Sequence, residues 1–120
     1  MNDKDTNPAV PRAALRARMY IGERDRHGGQ PLYSAIVMRA RHEGMAGATV
    51  VRGIAGYGAH AVVHAASIVD MSADLPLVIE IVDEPQRVRA FVAAIAEMMD
   101  DGMITTEEVS IVYQSQRASR

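Results

Sequence analysis

The run from Leu75 to Tyr113, LPLVIEIVDEPQRVRAFVAAIAEMMDDGMITTEEVSIVY, decides the fold. Its first eight residues are apolar except for Pro76 and Glu80, the pattern of a strand covered on both faces. Leu77, Ile79 and Ile81 then form the face turned to the helices, and Val78, Glu80 and Val82 turn the other way. Asp83 and Glu84 before Pro85 start a helix, because acidic groups suit its positive end and Pro is accepted in its first turn. Val88, Phe91, Val92, Ile95 and Met99 are its buried stripe, and Gly102 is the expected stop. Val109, Ile111 and Tyr113 alternate with Ser110 and Val112 as a last strand.

Upstream, the same grammar repeats. Leu15, Ala17, Met19 and Ile21 alternate with Arg16, Arg18 and Tyr20, a strand with one face in the core and ordered from Ala14. Glu23 to Gln30, with its Gly28-Gly29 pair and four charges, reads as a loop. Pro31 opens a helix whose inner face carries Tyr33, Ile36, Val37 and Ala40, and Gly44 closes it. Gly47 to Ile54 is a second strand. The order is therefore βαββαβ, an α+β ferredoxin-like sandwich: a four-stranded antiparallel sheet with both helices on one face. A long excursion with Gly53, Gly56 and Gly58 joins the second and third strands, spanning roughly 55–73, and a short strand at Ala65–Val69 is weighed inside it. Residues 1–11 are a polar, Pro-containing tail expected to be disordered; 12–114 form one domain; 115–120 are a second tail.

Composition narrows the function classes. The 120 residues suffice for one core, and with only 4% aromatic residues that core is built from small side chains, so association would help it. No Cys is present, which excludes disulfides, thiolate metal sites and cysteine nucleophiles. A net charge of −2 gives no drive toward nucleic acid, and no apolar run resembles a signal segment or reaches bilayer length, so the expectation is a cytoplasmic protein that is not membrane-embedded. Basic residues concentrate in the first half and acidic ones in the second, which favours contact between subunits. The far face of the sheet holds apolar side chains, so another subunit is expected to cover it. No nucleophile elbow, triad context or carboxylate pair supports an enzyme. Met98, Met99 and Met103 read as core.

Several stretches carry a family resemblance. Leu32–Gly58 (LYSAIVMRARHEGMAGATVVRGIAGYG), Asp74–Asp83 (DLPLVIEIVD), Gly102–Val112 (GMITTEEVSIV) and Met19–Asp25 (MYIGERD) resemble the family called domain of unknown function number 190. That family is similar to the PII signalling proteins, which the resemblance describes as trimers binding nucleotides between subunits and touching transporters or enzymes through a loop. Gly47-Ala48-Thr49-Val50 looks like the PII strand whose Thr contacts adenine, and Gly56-Tyr57-Gly58 looks like the turn that approaches phosphates. The resemblance thus implies a homotrimeric regulator and a small ligand, an adenine nucleotide among the candidates. It also implies a partner such as a membrane transporter, relatives accompanying fluoride exporters.

The candidate ligand contacts are Thr49, Arg52, Gly56, Tyr57, Gly58 and His60. Ala59 and His60 stand where PII proteins carry Arg and Gln, and Asp100-Asp101-Gly102 replaces a Lys-containing glycine loop. Acidic groups there oppose a triphosphate, leaving AMP, a cyclic nucleotide or another small anion as the better fit. The glycines alone read first as turn formers, and only the PII-like placement brings an anion-binding role level with that. Arg16, Arg18 and Tyr20 beside Glu80 read first as a stabilising ion pair, and His27 and His42 as surface residues. Two other readings stand beside the sensor. One is a trimeric scaffold without ligand. The other is a divalent-metal protein using His60 and His64, whose spacing alone is a weak ligand signal.

Overall fold

A computed structural model of the chain describes residues 11–58 and 74–115. The expected tails, 1–11 and 115–120, lie outside the described residues but for Pro11 and Ser115, as do His60, His64, Ala65–Val69 and the rest of 59–73.

The elements follow in the order β1 (Arg12–Gly22), β2 (Arg26–His27), β3 (Gln30–Pro31), α1 (Leu32–His42), β4 (Ala48–Arg52), β5 (Pro76–Asp83), α2 (Pro85–Ala96) and β6 (Met103–Ile111). Four of the strands form one antiparallel sheet in the order β4-β5-β1-β6, the ferredoxin-like arrangement. Alternation along β1 and β5 is as read: Leu15, Ala17, Met19, Ile21, Leu77, Ile79 and Ile81 are all buried. They meet Leu32, Ile36 and Ala40 from α1 and Val88, Phe91 and Ile95 from α2 in a single cluster. Fully burying each large aliphatic or aromatic side chain contributes about 1.5–3 kcal/mol, so this one layer carries the fold.

A buried carboxylate ties the two halves together. Asp83, only 9% exposed at the end of β5, accepts hydrogen bonds from the backbone N–H groups of Ala46 and Glu84. Arg87, one turn into α2, lies 3.4 Å from Asp83 and donates to the carbonyls of Glu43 and Gly44. The last carbonyls after α1 thus gain a charged donor, and Gly44 closes the helix at φ +73°.

Some details differ from expectation. The loop 23–30 holds a minute hairpin, because Gly28 and Gly29 both adopt positive φ (59° and 82°), as a primed two-residue turn requires. On α1, Leu32 and Ala35 are buried while Tyr33 and Val37 are only half-buried, so the inner stripe is Leu32, Ala35, Ile36 and Ala40. α2 ends at Ala96 rather than near Gly102, and Met98 and Met99 follow in tight turns packed on the core. Met103 is not core: it opens β6 at 56% exposure. β6 ends at Ile111, so Tyr113 lies beyond it.

Candidate functional site

Antiparallel pairing brings four chain ends to one end of the sheet. The end of β1 faces the start of β5 (Ile21 opposite Leu77, Gly22 opposite Pro76) and the start of β6 (Tyr20 opposite Met103). β4 also ends here, with Arg52 opposite Leu77 and the Gly53 N–H bonded to the Pro76 carbonyl at 2.8 Å. Between these ends lies a cleft of about 340 Å³, lined by β1 and β5 ends with Asp25, Tyr57, Gly58, Asp101, Gly102 and Met103. Its size falls within the range of about 300–1,000 Å³ that small-molecule sites occupy.

The walls are shaped by close backbone approach. Gly102 has φ +114°, and a Cβ there would sit 2.5 Å from the Tyr20 carbonyl oxygen. Gly53 and Gly56 pass over the Pro76 ring, where Cβ atoms would lie 3.0 and 3.3 Å from its Cγ, while Gly58 faces open space. Two of the three glycines in that turn are therefore accounted for by packing. Asp25 accepts from the Gly22 N–H at 3.0 Å, and Asp74 accepts from the Arg24 N–H at 2.9 Å, which fixes the turn after β1.

The candidate ligand residues are distributed over more than one place. Tyr57, 80% exposed, and Gly58 line the cleft. Thr49 pairs in register with Glu80 and lines a separate depression of about 290 Å³ with Glu80, Val82, Ile111, Tyr113 and Gln114. Arg52, exposed, donates to the Glu23 carboxylate. Gly56 sits against Pro76, and His60 lies outside the described residues. Asp25, Ile21 and Met103 escaped the sequence reading. The available signal was topological: in a split βαβ sheet the turns after the first strand and before the last must meet at one end.

The sheet face opposite the helices carries a charge network. Arg18 donates to Glu80 at 2.8 Å and to Glu107 at 3.2 Å, and Arg16 lies 2.9 Å from Glu107 and 3.9 Å from Glu80. The hydrogen bond to Glu80 and the nearby carboxylates raise the Arg18 pKa above its ordinary value. The hydrogen bond from Arg16 and the positive charge around it hold Glu107 below the usual carboxylate range. Val51 (55% exposed) and Met103 flank this network in register with half-buried Val78 and Tyr20. Among the described residues no group of three or more His, Asp or Glu side chains is arranged to hold a metal, and no helix is long and apolar enough to cross a membrane.

Comparison with known proteins agrees with this architecture. Residues 14–111 match the family described as Uncharacterized ACR, domain of unknown function 190. A UPF0166 protein of Aquifex aeolicus is 34% identical over 96 residues, covering 80% of this chain and 90% of that one. A UPF0166 protein of Methanocaldococcus jannaschii is 33% identical over 88 residues, covering 72% and 81%. Among solved structures, CPII from Thiomonas intermedia K12, bound to ADP and bicarbonate, superposes with a TM-score of 0.58 at 12% identity, over 85% of this chain and 91% of that one. The chain belongs to the domain of unknown function 190 family and has a PII-like, ferredoxin-type fold.

Proposed function

We propose that the protein is a homotrimeric, cytoplasmic PII-like regulator that senses a small ligand, an adenine nucleotide being the leading class, and performs no catalysis of its own. The observation that carries this reading is the cleft where the Gly56–Gly58 turn meets the ends of β1, β5 and β6. The structural neighbour's ADP and the family resemblance support the ligand class. The open sheet face supports association, since Val51 and Met103 stand exposed around a charge network that no element of the described chain covers. Thr49 and Tyr57 line different depressions of one chain, so a ligand contacting both fits a site completed between neighbouring subunits. Arg52 engages Glu23 through one terminal nitrogen, so its other donors can meet an anion while that pair stays intact. Regulation requires unequal ligand affinity for two conformations, whose populations then set contact with a partner such as a transporter.

Sedimentation equilibrium followed by calorimetric titration with adenine nucleotides tests the proposal. A trimer that binds a nucleotide, weakened by Tyr57→Ala, is expected. A trimer indifferent to every nucleotide moves the reading to a scaffold, and a monomer removes it.

A further inference from the structure

The described walls of the end cleft are apolar, aromatic or acidic. Tyr20, Ile21, Leu77 and Met103 supply its body, Tyr57 its rim, and Asp25 and Asp101 its charged groups; no Lys, Arg or His is among its described lining residues. An adjoining depression of about 140 Å³ is lined by Asp25, Arg26, Asp100 and Asp101 with Leu32. Arg26 is the one cation among its described lining residues, and its guanidinium donates to the Gly29 carbonyl. Three carboxylates and one guanidinium thus line the described part of that corner, so acidic groups predominate there, Asp101 with a polar partner of its own. Carboxylates accept hydrogen bonds from hydroxyl and amino groups, while like charge repels phosphate. An exposed tyrosine ring offers a base a stacking surface that needs no charge.

We propose that this cleft selects against phosphate: it takes a nucleoside-like ligand, a planar ring stacked on Tyr57 with hydroxyl donors turned to Asp25 and Asp101, and prefers adenosine to AMP and AMP to ADP or ATP. The inference rests on the reading of the cleft as the ligand site and narrows that ligand's chemistry. All four ligands share the base and the ribose 2′- and 3′-hydroxyls, so the order among them comes from charge, and magnesium, which offsets phosphate charge, should shrink the steps.

Titration calorimetry of the full chain with adenosine, AMP, ADP and ATP, each with and without magnesium, reads the order directly. Affinity is expected to fall about fivefold per added phosphate, the factor that two like charges about 4 Å apart impose in water, and the steps should shrink in high salt. Asp101→Asn, and separately Asp25→Asn (which keeps an acceptor for Gly22), should narrow the gap between adenosine and ATP. Tyr57→Ala should weaken all four ligands by a similar factor, about tenfold. Affinity that rises with phosphate count, with or without magnesium, overturns the inference and leaves nucleotide sensing standing. Failure of all four to bind removes both.

Discussion

Gly102 is the position where one added carbon should cost most. Its φ of +114° lies where side chains are rarely found, and a Cβ would come 2.5 Å from the Tyr20 carbonyl oxygen and 2.8 Å from the Met99 Cε. Met99 can swing its tip away. Tyr20 cannot retreat, because it is paired with Met103 on one side and Val78 on the other. Gly102→Ala therefore combines backbone strain of about 1–3 kcal/mol with an overpacking cost of about 1–3 kcal/mol, together about 2–6 kcal/mol. Gly28→Ala is the matched control: its φ is +59°, and nothing lies within 4 Å of the added Cβ. That variant should lose only the strain, about 1–2 kcal/mol. Urea unfolding followed by far-UV circular dichroism reads both, at one protomer concentration because any association would add stability. Since Gly102 joins Asp101 to Met103 in the cleft wall, the larger loss should come with weaker ligand binding. Equal losses for the two variants would refute the claim that close approach to Tyr20 dictates this glycine.

Three other substitutions probe different layers. Phe91→Ala empties the centre of the core, where the ring is 1% exposed, and should cost about 3–5 kcal/mol in the same assay. Asp83→Ala strips the acceptor from the Ala46 and Glu84 N–H groups and should destabilise by about 1–3 kcal/mol, with faster amide exchange at Ala46. Glu107 titrates below the ordinary glutamate range in the folded chain, so its contribution is present above that range and fades as pH falls through the lowered value. Unfolding followed between pH 3 and 6 should show this loss in the native protein and a smaller one in Glu107→Gln; identical pH profiles would rule the pairing out. Arg18 titrates above its ordinary value, so its contribution persists throughout this window.

What the sequence made legible follows from how each residue is buried. β1 and β5 were readable because each has one face in the core, and a half-buried strand must alternate. Phe91, Val88 and Ile95 announced α2 in the same way, through helical spacing. The first half of β6 gave no such signal: Met103 to Glu108 are exposed except for Ile104, an edge strand with little to bury. The hairpin at 26–31 was hidden for a related reason. Its Gly28-Gly29 turn signal is strong, but Arg26, His27 and Gln30 are polar flanks that do not advertise strands. Tyr57 and Gly58 could be picked out because glycine–aromatic–glycine is a local pattern. Asp25 and Met103 could not, since only the register of β1 against β5 and β6 brings their turns together.

The open face and the end cleft place opposite demands on charge, and the chain meets them with different chemistry. On the sheet, Arg16 and Arg18 are matched by Glu80 and Glu107, so the network is neutral and its carboxylates already hold hydrogen bonds. A neutral, internally paired cluster can be covered by another subunit at less cost than an unpaired charge, though the desolvation of the pairs still offsets much of their attraction. If copies associate through this face, the apolar side chains around it, Val51, Val78 and Met103, would supply the affinity while the network sets orientation. Salt should consequently change the rate of assembly more than its strength. Beside the cleft, carboxylates predominate: Asp25, Asp100 and Asp101 line the adjoining depression together with Arg26. An excess of negative charge has no use in packing, and at a ligand site it acts as a filter. On the proposed reading, the same chain would carry a neutral surface that meets another copy and an acidic corner that disfavours phosphate.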